Sequence, residues 1–290
     1  MNFTAFLSTI VSFIMMVLSL INPGLIKEPE AVPRAETAQY RVITFNLRYG
    51  GSAAESVKYR SKLMLAELSS KDADVMGFQE ATPEWMGILA SKLESYAYIS
   101  EYRTGDEREG TEANPVFYKK DKFDLVDSGT FWLSETPDVV GSKYPGAGCE
   151  RVCTFAVLRD KALGRDIAFL NTHLDNVSYA AIYHGMTLIN SKIKEFILKD
   201  YPIILTGDFN SVEGSGAYNA ASVYLNDTKY QAPVTDSGYT YHDYGKQELL
   251  LDYIFASNKV TPLRYSIIRD KINKSYLSDH YGIFVDFRID

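Results

Sequence analysis

The stretch ILTGDFNSVEG, Ile204 to Gly214, ends an apolar run with an acid and an amide separated by one aromatic residue. Asp and Asn favour turns and helix N-caps because their short side chains hydrogen-bond nearby backbone groups. Asp208 and Asn210 are therefore either the turn after a strand or two polar groups that the strand delivers to a site. Which of these holds depends on how the other strands of the chain end.

They end alike. YRVITFNL (Tyr40 to Leu47) carries Asn46 near its end, and DVMGFQE (Asp74 to Glu80) closes on Glu80. DIAFLNTHL (Asp166 to Leu174) brings His173, LLDYIFA (Leu250 to Ala256) contains Asp252, and SDH (Ser278 to His280) sets Asp279 and His280 just before YGIFVDFRI. Any one of these is more often a turn residue than a chemical group. Six β-like runs, each with a carboxylate, amide or imidazole at or near one end, reverse that reading.

Amphipathic helices lie between the runs. One is expected over Val57 to Ser69, and TPEWMGILASKL starts another, with Thr82 as cap and Pro83 at the first helical position. A third, from about Ala180 to Leu198, aligns Met186, Ile189, Ile193 and Phe196 on one face. Further strands are expected at Asn114 to Lys120, Phe123 to Leu133, Arg151 to Asp160, Pro202 to Gly207 and near Leu263 to Ile268, with a short helix near Ala217 to Leu225. Many strands with helices placed early and in the middle suit two packed sheets covered by helices on their outer faces.

The chain has 290 residues, 46% of them hydrophobic, enough for one large core or two smaller ones, and one domain is expected. Its formal charge of -7, from 30 basic against 37 acidic residues, disfavours a protein whose main task is to grip nucleic-acid backbone. Residues 1–38 read as a signal peptide or N-terminal membrane anchor plus spacer, leaving 39–290 as the domain. The apolar run from Phe3 to about Ile26 approaches the ~20 residues that span a bilayer. It has no Lys or Arg before it and no A-x-A site after it. Export is expected, to the cell surface or beyond, with membrane contact through residues 3–26. Cys149 and Cys153 sit too close in a loop-to-strand segment to bridge without a sharp reversal, so free thiols are expected.

Taken in order, FN at Phe45-Asn46, QE at Gln79-Glu80, THL at Thr172 to Leu174, GDFN at Gly207 to Asn210, LDYIF at Leu251 to Phe255 and SDH at Ser278 to His280 form a set. This set resembles the endonuclease/exonuclease/phosphatase superfamily of metal-dependent phosphoesterases, and the resemblance spans residues 40–290. It implies an α/β fold, a four-layer α/β/β/α sandwich of two mainly antiparallel sheets with the site at one edge. It also implies Glu80 as the main ligand of Mg²⁺, with Mn²⁺ as substitute, Asn46 beside it and Asp279 opposite. An all-oxygen set suits such a hard cation. Asp208 would orient or deprotonate the attacking water, and the Asn210 amide would donate to a phosphate oxygen. His280, held in one tautomer by Asp252, would contact the phosphoryl group, and His173 another phosphate oxygen or the leaving group.

Three further expectations concern neighbours of this set. Asp175, two residues after His173, is expected to orient it; His242 in GYTYHDYG is expected to reach the substrate from a loop; His184 is expected on a helix. The family's nucleases often carry a second acid two residues after the first-strand Asn, whereas this chain has Arg48 there. A guanidinium suits a substrate anion better than a metal, which puts a two-metal arrangement in doubt. The expected function is thus an exported, monomeric, Mg²⁺-dependent phosphoesterase for a small or lipid-linked phosphoester. An exported nuclease and a non-catalytic binding module on the same scaffold are the alternatives. The loop Phe131 to Glu150 is expected to shape specificity.

Overall fold

The computed structural model describes residues 29–52, 55–272 and 275–290. The apolar segment read as signal or anchor lies outside the described residues. The chain runs β1 (Tyr40–Asn46), α1 (Val57–Lys71), β2 (Val75–Gln79), α2 (Pro83–Lys92), β3 (Tyr96–Ile99), β4 (Val116–Lys119), β5 (Phe123–Trp132), β6 (Val152–Asp160) and β7 (Asp166–His173). It continues with α3 (Tyr179–Leu198), β8 (Ile203–Asp208), α4 (Gly216–Ala221), β9 (Asn226–Asp227), α5 (Thr228–Gln231), β10 (Val234–Thr235), β11 (Asp252–Ala256), β12 (Val260–Ile268) and β13 (Gly282–Ile289).

The strands form two mixed sheets, one of seven in the order β10-β12-β13-β1-β2-β4-β3 and one of six in the order β5-β6-β7-β8-β11-β9. Three pairs, β1 with β2, β7 with β8 and β10 with β12, are parallel, and the rest are antiparallel. Side chains alternate across each strand, so a central strand buried on both faces feeds two cores. In β1, Tyr40 and Val42 face the other sheet and join Phe169, Ile204 and Ile254. Ile43 and Phe45 face outward and pack with Leu63 and Met64 of α1 and Trp85 and Leu89 of α2. On the opposite outer face, Met186, Ile189, Ile193 and Phe196 of α3 cover Ala168, Leu170, Ile203 and Leu205. Three cores between four layers give the α/β/β/α sandwich.

Local sequence sets the helix starts. The Thr82 hydroxyl accepts from Trp85 N with Pro83 beside it, and Ser178 caps α3 by accepting from Ala181 N. The short strands β3, β9 and β10 and the one-turn α5 carry too few alternating apolar residues to be legible in the sequence. β3 is only partly buried.

Two features bear on the site. Beneath it the sheets are joined by polar groups: Gln79 Nε2 donates to Asn171 Oδ1 at 2.7 Å, and Thr206 Oγ1 donates to the same oxygen at 3.0 Å. Gly77 makes room for this, since a Cβ there would lie 2.5 Å from Thr206 Oγ1 and 2.7 Å from the Asn171 side chain. At the far end of β1, the end of the spacer is fastened to the domain. Arg41, fully buried, pairs with Asp286 at 2.6 Å and donates to Val32 O and Pro33 O, while Ala35 N donates to Asp286 Oδ2 at 2.7 Å.

Candidate active site

Sheet register gathers the polar strand ends. His173 lies opposite Asp208 across β7 and β8, and Asp208 opposite Asp252 across β8 and β11. In the other sheet Asn46 pairs with Gln79, so that Glu80 follows at the same edge. His280 immediately precedes Tyr281 and β13. The C-terminal ends of β1, β2, β7 and β8 thus converge on a cavity of about 490 Å³, lined among others by Arg48, Glu80, His173, Asp208, Asn210, Asp279 and His280. That volume suits a small ligand.

Asp208 is at the centre. Its Oδ2 accepts from Asn46 Nδ2 at 3.0 Å and its Oδ1 from Asn210 N at 2.8 Å. The His280 Nε2 atom is 3.7 Å from Asp208 Oδ2, and its Nδ1 is 2.8 Å from Asp252 Oδ2. Because Asp252 can only accept when ionised, Nδ1 carries the proton in that bond. Burial, then the charge of Asp252, push Asp208 up to about 7, against the pull of His280. Burial opposes a charge on His280, but Asp252 and Asp208 outweigh it and raise the imidazolium to about 10.

Asn210 has a different task from the one the sequence suggests. Its Nδ2 donates to Leu174 O at 3.0 Å and lies 2.9 Å from His173 Nε2. A carbonyl only accepts, so the amide nitrogen faces both partners and His173 Nε2 accepts. The ring is then the Nδ1–H tautomer, and that Nδ1 has no hydrogen-bond partner among the described residues. Burial, with Arg151, Arg103 and His280, holds His173 well below the ordinary imidazole range, so it is neutral. Both Asn210 N–H bonds are spent on the protein, which leaves its oxygen, not its amide, for a ligand.

The expectations for Asp175 and His242 are also corrected, while those for His184 and the two cysteines hold. Asp175 does not orient His173: its oxygens accept from Gly148 N, Val177 N and Ser178 N and so tie the loop before β6 to the start of α3. His242 does not line the cavity. It is buried against Tyr276 and Tyr281, with ring centroids 4.5 Å and 4.1 Å away, and its backbone N donates to Asp279 O, which fixes the loop with this side chain turned inward. Its neighbour Tyr241 faces the cavity instead, 4.9 Å from the His280 ring. His184 sits on α3 and contacts Ser134 O at 3.1 Å, outside the site. Cys149 and Cys153 are both free.

Arg48 lies in the site and donates to Asp279 Oδ2 at 2.8 Å, so a fixed cation already meets that carboxylate. Arg103, Glu112 and Arg151 line the cavity as well. Sequence reasoning missed them because Arg103 and Glu112 lie in loop segments without periodicity, Arg151 reads as the first residue of a strand, and the three meet only through the fold. The loop Phe131 to Glu150 does reach the cavity, through Gly148 and Cys149.

The residues fit a hard divalent cation. Glu80 presents a carboxylate whose oxygens accept from Asn46 Nδ2 at 3.1 Å and Tyr49 N at 2.7 Å, with lone pairs to spare; Asn46 Oδ1, which accepts from Arg48 N at 2.9 Å, keeps one as well, while Asp279 lines the same cavity with its Oδ2 taken by Arg48. Asp208, Asp252 and His280 also have the spacing of a metal site. There the charged imidazole already bridges both carboxylates, so Glu80 with Asn46 is the better match.

A family model described as the endonuclease/exonuclease/phosphatase family matches residues 43–280. The chain is similar to an endonuclease/exonuclease/phosphatase from Bacteroides vulgatus, with 32% identity and a TM-score of 0.81 over 87% of this chain and 99% of that one. It is likewise similar to a mannosyl-6-phosphatase of Bacteroides thetaiotaomicron, with 28% identity and a TM-score of 0.81 over 87% of this chain and 100% of that one. An uncharacterized protein of Acanthamoeba polyphaga mimivirus is 26% identical over 79% of this chain and 91% of its own length. With six strand ends meeting as that family's motifs require, and a match across most of its length, the chain belongs to the endonuclease/exonuclease/phosphatase family of phosphoesterases.

Proposed function

We propose that the protein is an exported, Mg²⁺-assisted phosphoesterase that acts, as a monomer, on small phosphorylated molecules, with sugar phosphates first among them. The observation that carries this is the placing of Asp208 between two fixed donors, 3.7 Å from the charged His280, at a cavity of small-ligand size. The mannosyl-6-phosphatase is among the solved structures most similar to it. The cavity and the acidic overall charge both speak against a nuclease.

Each residue has a distinct step. Asp208, held by Asn46 Nδ2 and Asn210 N, takes the proton of the attacking water. His280, charged and fixed by Asp252, donates from Nε2 to a phosphoryl oxygen. His173, neutral and held by the Asn210 amide, sets its Nε2 edge 3.5 Å from Asp208 Oδ2 and so shapes the cavity wall beside the general base. Glu80 and Asn46 would hold Mg²⁺, or Mn²⁺ in its place, which would supply charge neutralisation at the phosphoryl group. Arg48 adds a permanent positive charge where a second metal would otherwise be needed.

The way the chain enters the domain favours a soluble substrate. β1 starts at Tyr40 and ends at the site with Asn46, so an anchor before residue 29 joins the domain roughly 20 Å from the cavity, at the opposite end of the strand. The test is a substrate panel with Mg²⁺: sugar phosphates, aryl phosphomonoesters and diesters, sphingomyelin and other phospholipids, and DNA and RNA. Sugar phosphates are expected to be hydrolysed fastest. Faster cleavage of nucleic acid or lipid than of every small ester would contradict this reading.

A further inference from the structure

One wall of the cavity takes no part in the chemistry above. It is formed by Arg103, Glu112, Arg151 and Asn176, with Gly148 and Cys149 beside them. Arg103 Nη1 donates to Glu112 Oε2 at 2.7 Å. Arg151 Nη2 donates to Asn176 Oδ1 at 3.1 Å, and Arg151 Nε lies 3.7 Å from Asp175 Oδ2. The side chains of Arg103, Glu112 and Arg151 are only 15%, 12% and 7% exposed. Even so, Arg103 Nε and Arg151 Nε, both buried, have no hydrogen-bond partner among the described residues. Those two atoms are sealed from the cavity, which the guanidiniums reach through their terminal Nη groups beside Glu112 and Asn176.

Charge narrows the ligand. Two guanidiniums are opposed by two carboxylates, Glu112 and Asp175, so the wall holds no surplus positive charge for a second anion. It offers instead N–H donors set beside carboxylate and amide oxygens. Hydroxyl groups both donate and accept, and adjacent hydroxyls match that alternation. An apolar leaving group would leave the donors unpaired, and an anionic one would meet Glu112.

Resting on the small-phosphoester reading above, we infer that this wall is the leaving-group subsite, where Glu112 and Arg151 bind adjacent hydroxyls of a polyol. The substrate is then the phosphate ester of a sugar or similar polyol, not of a simple alkyl or aryl alcohol. Glu112 and Arg151 act as specificity residues and not as catalytic ones.

The test uses the full chain in mild detergent with Mg²⁺. Its substrates are mannose 6-phosphate, glucose 6-phosphate, a set of monodeoxy sugar phosphates and 4-nitrophenyl phosphate. At least one monodeoxy substrate is expected to lose about tenfold to a hundredfold in kcat/KM, the worth of a hydrogen bond to a charged group. Glu112→Gln should lose a similar factor on the parent sugar phosphate, mainly through KM, and little more on that deoxy substrate. Its loss on 4-nitrophenyl phosphate should be much smaller. Asn176→Ala, at an exposed position that leaves the fold intact, should shift the same ratio in the same direction. Aryl phosphate hydrolysed as well as every sugar phosphate, or variants that lower both substrates equally, would overturn the subsite while leaving the phosphoesterase reading in place. Hydrolysis of no phosphoester at all would overturn both.

Discussion

Asp208 shows how burial and function trade against each other in one residue. Its carboxylate is buried and raised to about 7, so its charged form is held in the fold at a cost. Asp208→Asn is therefore expected to lower kcat by about a thousandfold or more while keeping or raising the melting temperature at pH 8, as measured by steady-state kinetics and calorimetry. A fall in both would mean a structural role. The pH profile follows from the same groups. Asp208 works ionised, so the rate rises as pH climbs through about 7; His280 works protonated, so the rate falls as pH climbs through about 10. A cation at Glu80 pulls the acid limb lower. Asp252 is the first of the carboxylates that raise His280, so Asp252→Asn should move the alkaline limb downward; a limb that stays put would show that another group sets it. Stability carries the matching sign. The pairing of His280 contributes fully below its ordinary value of 6.5 and is lost as pH rises through about 10.

At the scale of the elements, the strands that end in the site were readable because each combines an apolar run with a polar terminus. The sequence places β1 at Tyr40 to Leu47 and the structure at Tyr40–Asn46; the main helix is read from Ala180 and starts at Tyr179. The roles of side chains were less legible than their presence. Nothing local says that Asn210 spends both amide hydrogens on Leu174 O and His173, or that Tyr241 and not His242 faces the cavity. Those depend on which way a loop turns, and on partners far along the chain. Arg103, Glu112 and Arg151 were missed for the same reason. The close approach of the sheets at Gly77 is a testable element-level claim. Gly77→Ala puts a methyl within 2.5 Å of Thr206 Oγ1 and should cost about 1–3 kcal/mol in urea unfolding, with some loss of activity. A neutral result would show that Thr206 and Asn171 can move aside freely.

For the whole molecule, composition pointed to one domain with one large core and away from nucleic acid, whereas the four layers divide the apolar content among three cores; the motif order pointed to the family. It did not show where the domain begins. The boundary read at residue 39 cuts off Val32 and Pro33, whose carbonyls accept from the buried Arg41, and Ala35, which donates to Asp286. A chain started at residue 39 should melt several degrees below one started at 29, since each lost hydrogen bond to a charged group is worth about 1.5–3 kcal/mol. Equal melting temperatures would mean that water replaces these contacts without loss. Among the described residues no helix is long and apolar enough to cross a membrane. The central claim is a phosphoesterase that needs a hard cation at Glu80 and Asn46. It is tested most directly by phosphate release from mannose 6-phosphate before chelation, after exhaustive chelation, and after Mg²⁺ is added back. Release that stops on chelation and returns with Mg²⁺ is the expected result; release that continues undiminished without metal would contradict it.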